Sequence, residues 1–421
     1  MKKIIVFMAV VSLLFTSCGK ADTGTFESSV SGLNEQTVEQ LRVIETNEKK
    51  ETDYVPVNYD TQMAMWITYM NYKNILYGKS KEEFTDSIKD ELKNISDTGF
   101  NTVYVHASAF NDCYYKSSFY PKGQYYSTKD DFDPLAIIIN EAHELEISVH
   151  AWINPLRCQT DDEIKKIDGS YKIKSWYDDS STKGKYLVNV KDRWYLNPAY
   201  EEVRDYISGC VSEIAENYNV DGIHIDDYFY PVTDSDFDTA AFKESGESDL
   251  EEWRIGNINL MVSSMYSALK SVNEDMLFGI SPQGNIEADY NNMYADVGKW
   301  ASESGFCDYI VPQLYYGYKN ESCPFTETAE RWKSLVTSDG VKLIAGICTY
   351  KIGTEDKWAG AGKNEWKDTK GIPANQTATV FEKDIADGIA VYSYESTFDN
   401  NIDEEISKLS KSIKAYSEGK Q

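Results

Sequence analysis

From Gln62 onward, short apolar runs alternate with longer segments of helical period, eight times over. The runs that read as strands are Met63 to Met70, Thr102 to Ser108, Ser148 to Asn154, Gly222 to Asp226, Leu277 to Ser281, Tyr309 to Tyr315, Lys342 to Cys348 and Gly388 to Tyr394. The amphipathic stretches that follow them are Lys81 to Asp97, Pro134 to Leu145, Glu202 to Tyr218, Trp253 to Val272, Tyr294 to Glu303, Glu327 to Val336, Ala378 to Asp387 and Ile402 to Tyr416. A chain built this way has one economical solution, a single (β/α)8 barrel spanning residues 60–417. No second domain is needed to use up the length.

The connections are lopsided. Helix-to-strand links are short, as in Thr98-Gly99-Phe100-Asn101 and Asn219-Val220-Asp221. Strand-to-helix links are long, as in Ala109 to Asp133, Pro155 to Ala199 and Tyr228 to Glu252. Barrels of this kind build their sites from the loops that follow the strands, so the long loops mark the functional face. Alternation sorts the side chains within each strand. Ile223 and Ile225 face the helix layer, which turns His224 and Asp226 inward. By the same parity His150, Trp152 and Asn154, and Tyr104, His106 and Ser108, point into the barrel. So many inward polar groups are costly to bury unpaired, and a functional pocket is the expectation.

The chain's first residues carry a different message. Lys2 and Lys3 precede an apolar run from Ile4 to Phe15, and Thr16-Ser17 lead into Cys18. These are the charged, apolar and small-residue regions of an export signal over residues 1–17, too short for a permanent membrane span. Phe15-Thr16-Ser17-Cys18 resembles a bacterial lipobox, with Cys18 as the lipidated residue. Residues 18–59 are rich in Ser, Thr, Glu, Asn and Gln, lack sustained apolar periodicity and read as a flexible tether. The expected location is the extracytoplasmic face of a bacterial membrane, with a lipid anchor as one partner.

A formal charge of -27 excludes a nucleic-acid partner, since phosphate contacts need a basic surface. With 31 tyrosines and 9 tryptophans, the chain has more aromatic rings than a core demands. Flat apolar faces with polar tips suit sugar stacking. Beyond Cys18 the cysteines are Cys113, Cys158, Cys210, Cys307, Cys323 and Cys348, with no Cys-x-x-Cys and hence no zinc ribbon. No glycine-rich loop suggests a nucleotide, and no cofactor is called for.

Several segments match one family in order along most of the barrel. They are Met65-Trp66-Ile67-Thr68-Tyr69, Asn101 to Val105, His150 through Asn154-Pro155 to Arg157, Leu196-Asn197-Pro198, and Val220 to Pro231 with its His224-Ile225-Asp226-Asp227-Tyr228. Trp253-Arg254, Phe278 to Pro282 and Tyr309 to Gln313 continue the series. In these the chain resembles the glycosyl hydrolase-like 10 family of bacterial envelope proteins. The resemblance implies a (β/α)8 fold and glycan hydrolysis. Where this chain has Ser108-Ala109-Phe110-Asn111-Asp112, the family usually carries a basic residue and a glycine before the aspartate.

Glycoside hydrolysis typically needs two carboxyl groups about the scissile bond. Asp226, inward at the mouth of the fourth strand, is the first candidate. Asp227, Asp112 after the second strand and Glu395 after the eighth are candidates for the partner, in that order. Trp152, Asn154, Arg157, His150, His224, Tyr230, Gln313, Tyr315 and Tyr394 are the candidate substrate contacts. An indole stacks on a pyranose, an amide reaches hydroxyls, and a guanidinium binds or orients a carboxylate. Asp226, Asn154, Gln313 and Tyr394 should therefore converge on one rim. The substrate class read from this is a polysaccharide or a peptidoglycan-type glycan. Two rivals remain: a metal-dependent hydrolase using His106, His150, His224 and Asp226, and a glycan-binding lipoprotein without catalysis.

Overall fold

A computed structural model describes residues 52–400 and 402–417. The export signal, Cys18 and the tether up to residue 51 lie outside the described residues. The remainder folds as one closed barrel of eight parallel strands in sequence order: Met63–Ile67, Thr102–Ser108, Ser148–Ile153, Gly222–Ile225, Leu277–Ile280, Tyr309–Ile310, Lys342–Cys348 and Gly388–Tyr392. Helices follow the strands, as the hydrophobic period requires. The first long one, Lys81–Thr98, shows why it starts and stops where it does. Ser80 and Glu83 close a capping box at its start, and Gly99 adopts φ 105°, open to glycine at little cost, at its end.

Parity along the strands is as the sequence reads. Met63, Met65 and Ile67, Val103 and Val105, Val149 and Ala151, and Ile223 and Ile225 join the main apolar layer between sheet and helices. Ala64, Trp66, Tyr104, Trp152, Tyr309, Val311, Ile344 and Ala390 form a separate cluster inside the barrel. Gly279 makes room for that interior: a Cβ there would fall 1.8 Å from the Tyr309 ring.

The strand ends are where expectation and structure part. The first strand stops at Ile67 because Thr68 opens a turn, with Asn71 N–H donating to its carbonyl. The sixth is two residues long, since Pro312 has no N–H to extend the ladder; Gln313 rejoins it through isolated bridges to Gln283 and Gly346. One helix was expected at Tyr294 to Glu303, and two short ones occur, Ile286–Met293 and Val297–Ser302, divided at Tyr294 with φ 53°. The segment expected at Ala378 to Asp387 begins earlier, as Ile372–Glu382, with Pro373 in its first turn where a missing N–H costs nothing. The loop after the third strand carries an antiparallel sheet of Arg157–Thr160, Leu187–Val190 and Arg193–Leu196, which period analysis did not reveal.

The floor of the barrel holds part of what was read as tether. Buried Asp221 accepts from Tyr54 Oη and Val57 N on one oxygen, both at 2.6 Å, and from Val149 N at 2.6 Å on the other, where His143 Nε2 also lies at 2.9 Å. Asn273 Nδ2 donates to the Tyr54 carbonyl. Residues 54–59 thus belong with the barrel. All six cysteines beyond Cys18 are free, five of them buried as small core residues.

Candidate active site

The fourth strand ends at Ile225, so Asp226 is the first residue past it and faces the mouth. It borders a cavity of about 430 Å³ with Trp66, His106, Trp152, Asn154, Arg157, Asp227 and Gln313. Tyr69, Tyr228, Tyr315, Tyr350 and Tyr392 supply aromatic walls. Asp226 and Asp227 are the carboxylates that line it among the described residues.

Their electrostatics differ. Asp226 is 4% exposed, and burial holds its carboxyl well above the usual carboxylate range, with the charge of Asp227 adding to the effect. The N–H of Tyr228, the Arg157 charge and the Trp152 indole oppose it weakly. Asp227 is also raised by burial, but the Gln313 and Gln283 amides and Arg157 pull it back toward ionisation. Both carboxyls are thus pushed up, Asp226 well above the usual range, and the amides beside Asp227 favour its ionised form where those around Asp226 are fewer.

The walls are held rigidly. Trp152 Nε1 donates to Asn154 Oδ1 at 3.1 Å, and Asn154 Nδ2 donates to the Ala109 carbonyl at 3.3 Å. His106 stacks on Trp152 and accepts from Tyr69 N–H through Nδ1. Arg157 lies between the rings of Phe110, at 4.6 Å, and Tyr228, at 4.2 Å. Gln313 Nε2 donates to the Ser281 carbonyl, and the backbone N–H of Gln283 donates to buried Asp289. Tyr315 and Tyr392 sit 5.7 Å apart, and Tyr350 meets both edge-on.

Several candidate residues lie elsewhere. His150 and His224 are in a deeper layer, fully buried, where they pair with barrel residues rather than with the cleft. Trp66 Nε1–H can only donate, so His224 Nε2 accepts it at 3.2 Å and His224 Nδ1–H faces Tyr309 Oη at 3.1 Å. Tyr309 O–H then donates to His150 Nδ1 at 2.6 Å. Tyr104 stacks on His224 with ring centroids 4.1 Å apart. Burial keeps both imidazoles neutral, His150 down to about 4. Paired polar groups of this kind form a barrel plug, which answers the expectation that inward polarity means substrate contact.

Tyr230 also points away from the cleft. It donates to Asp238, whose carboxylate is bound by fully buried Arg254 through Nε at 2.7 Å and Nη2 at 2.6 Å. Tyr394 accepts from Asn94 on the outer helix Lys81–Thr98 and does not join Asp226, Asn154 and Gln313 at the rim. Glu395 Oε1 accepts from the N–H and hydroxyl of Thr68, so it braces a cleft residue from behind. Asp112 Oδ1 accepts from Ala109 and Phe110 N–H groups, with burial raising its carboxyl to about 6. It borders a neighbouring cavity with Lys122, Gln159 and Lys166. Of the three histidines only His106 lines the cavity with Asp226, and among the described residues no cluster of His, Cys, Asp and Glu could hold a metal ion.

Trp66, Thr68, Tyr69, Met70, Tyr228, Tyr350 and Tyr392 were not among the candidate site residues, and His106, read as inward, was given a role only as a metal ligand. Trp66 and Tyr392 share the inward parity of their strands, a signal that was available. Tyr350 stands in an aperiodic loop and gave none.

The model of the family described as Glycosyl hydrolase-like 10 matches residues 62–361, covering the barrel through its seventh strand. The chain belongs to that family. Among relatives, it is 29% identical over 321 residues to "Glycosyl hydrolase YngK" of Bacillus subtilis (strain 168), covering 69% of this chain and 61% of that protein. It is 28% identical over 311 residues to "Glycosyl hydrolase DigH" of Escherichia coli (strain K12), covering 68% of this chain and 69% of that one. The match thus spans less than two thirds of the Bacillus protein. The fold is shared with the PgaB (BpsB) glycoside hydrolase domain from Bordetella bronchiseptica, at a TM-score of 0.53 and 12% identity, over 83% of this chain and 98% of that one.

Proposed function

We propose that this member of the Glycosyl hydrolase-like 10 family hydrolyses O-glycosyl bonds of a polysaccharide or peptidoglycan-type glycan, with Asp226 as general acid and Asp227 as its carboxylate partner. The observation that carries the reading is the pair itself: two adjacent buried carboxyls, both raised by burial and Asp226 well above the usual range, lining an aromatic cleft of about 430 Å³, with the Gln313 and Gln283 amides beside Asp227. The names of the Bacillus and Escherichia relatives agree with it.

Asp226 donates its proton to the glycosidic oxygen as the bond to the anomeric carbon breaks. Asp227, with Gln313 and Gln283 beside it, acts in one of two ways: as base it takes the proton of the water that bonds to the anomeric carbon, or as nucleophile it forms a glycosyl ester, which water then cleaves as the ionised Asp226 takes the water's proton back. Trp152 and Tyr392 offer flat faces to the sugar ring, and Asn154 and Arg157 offer donors to its hydroxyls. The export signal, lipidated Cys18 and the following polar segment would place the enzyme on the outer face of a bacterial membrane, where such glycans are found.

The test is digestion of a panel containing purified peptidoglycan glycan strands, glycol chitin, xylan, dextran and mixed-linkage glucan, with products identified by mass spectrometry. The reading requires new reducing ends from at least one of them. A soluble, folded protein that releases none contradicts it and leaves the non-catalytic glycan-binding alternative.

A further inference from the structure

Several exposed apolar side chains lie on the cleft side of the barrel. Beside Val55, Leu145, Leu260 and Tyr290, the exposed large apolar side chains are Met70, Tyr77, Tyr228, Tyr350 and Trp358, and these five stand on loops that follow strand ends, on the same side as the cleft. Scattered exposed rings need no explanation, but a connected set beside a binding cleft does. One such set is continuous. Beginning inside the cleft, the ring of Tyr228 covers Arg157, Arg157 covers Phe110, and Phe110 meets Tyr69 with centroids 5.1 Å apart. From Tyr69 the row leaves the cleft: Tyr125 follows at 6.4 Å and nearly parallel, at 16°, and Tyr77 at a further 6.4 Å, edge-on. Tyr77 is 55% exposed, and Tyr69 and Tyr125 are partly so.

Tyr69 and Tyr125 pack in part against the core, and the backbones that carry the three rings are pinned independently of them. The loops after the first and second strands are already joined through Gly78 N to the Ser127 carbonyl at 2.7 Å and Lys129 N to the Lys79 carbonyl at 2.8 Å. Lys81 N–H to Asp130 adds a third link, and Lys129 to Glu83 a fourth. Pinned backbones carrying one exposed ring and two partly exposed ones describe a preorganised binding surface, which loses little entropy on engagement.

We propose that Tyr69, Tyr125 and Tyr77 form a ledge that binds further sugar residues of a chain whose scissile bond lies over Asp226, which makes the protein selective for long glycans over short ones. The inference rests on the glycoside hydrolase reading above and adds a site to it. Amphipathic sugar rings are the ligand that fits: their C–H faces stack on tyrosine, while their hydroxyls stay in water along an open ledge. Binding far from the reacting bond then contributes to kcat/KM only when the chain is long enough to reach.

The experiment compares wild type with Tyr77→Ala, Tyr125→Ala and the double variant, using whichever polymer of the panel is cleaved fastest and the tetrasaccharide prepared from it. Each single variant should lower kcat/KM on the polymer about 3-fold and the double about 10-fold. Activity on the tetrasaccharide should stay within about 2-fold. Tyr125→Phe, which keeps the ring, should match wild type, and unchanged thermal midpoints for Tyr77→Ala separate loss of the ledge from loss of folding. Cleavage with an unchanged ratio of polymer to tetrasaccharide activity overturns the ledge and leaves the hydrolase reading intact. A Tyr125→Phe variant as impaired as Tyr125→Ala also overturns it, since stacking would not be the cause. If wild type neither cleaves nor is retarded by any polymer in affinity electrophoresis, both the hydrolase reading and the ledge fall together.

Discussion

Glu91 offers a sharp test of the electrostatics behind the first strand's end. It stands on the helix Lys81–Thr98, is 6% exposed, and both its oxygens accept from Asn71 Nδ2, at 2.9 and 2.8 Å. Burial raises its carboxyl from an ordinary 4.5 to about 8, with Glu395 and Asp399 adding to the rise and the Asn71 bond opposing it. The folded protein therefore keeps a proton that the unfolded chain has released, and stability is fully present below 4.5 and lost as pH climbs toward 8. At about 1.4 kcal/mol per pH unit, wild type should lose about 3 kcal/mol between pH 5 and pH 8 from this group alone. Glu91→Gln removes the titration and keeps the shape. Its Nε2–H2 takes the place of one of the two oxygens that accept from Asn71 Nδ2, a cost of about 1 kcal/mol at any pH. The variant should thus be about 1 kcal/mol less stable than wild type at pH 5 and about 2 kcal/mol more stable at pH 8. Urea unfolding followed by tryptophan fluorescence at the two pH values measures both gaps. A gap that is the same at pH 5 and pH 8 refutes the argument.

A buried ion pair and the N-terminal cysteine give two further tests. Arg254→Leu leaves Asp238 charged and fully buried without its bidentate partner, so unfolding should become about 3–5 kcal/mol easier; a variant within 1 kcal/mol of wild type by urea titration would show that the pair does not anchor the loop after the fourth strand. Cys18→Ser should shift the protein from the membrane to the soluble or secreted fraction. An unchanged membrane fraction, measured by immunoblot after ultracentrifugation, contradicts the lipid anchor.

The barrel was legible because period and parity are local properties of a sequence. Ile223 and Ile225 against His224 and Asp226 told which side of the sheet each residue takes, and the two apolar clusters follow that division. Parity does not report depth. His150, His224 and Asp226 share one side, yet the histidines lie below, sharing Tyr309 between them, while Asp226 alone reaches the cleft. Depth depends on register between distant strands and on which partner a buried group finds, neither of which is written in a short segment. Loops were the other blind spot. Tyr230 lies only two residues beyond Tyr228, but the turn after Asp227 sends one ring into the cleft and the other to Asp238, 8 residues on. Asp112 looked like a free acid, while its loop folds back so that two backbone N–H groups reach it.

The central claim is that Asp226 supplies the proton for glycosidic bond cleavage. Asp226→Asn keeps the shape of the side chain and removes only its acidity, and its position just past the fourth strand, outside both apolar clusters, should let the fold survive unchanged by circular dichroism. On the fastest-cleaved polymer of the panel, kcat should fall at least ~100-fold, the range ascribed to acid–base catalysis. The wild-type rate should itself decline as pH rises through the raised value of Asp226, because the deprotonated acid cannot donate. A folded Asp226→Asn protein that turns over the same polymer at close to the wild-type rate would contradict the account.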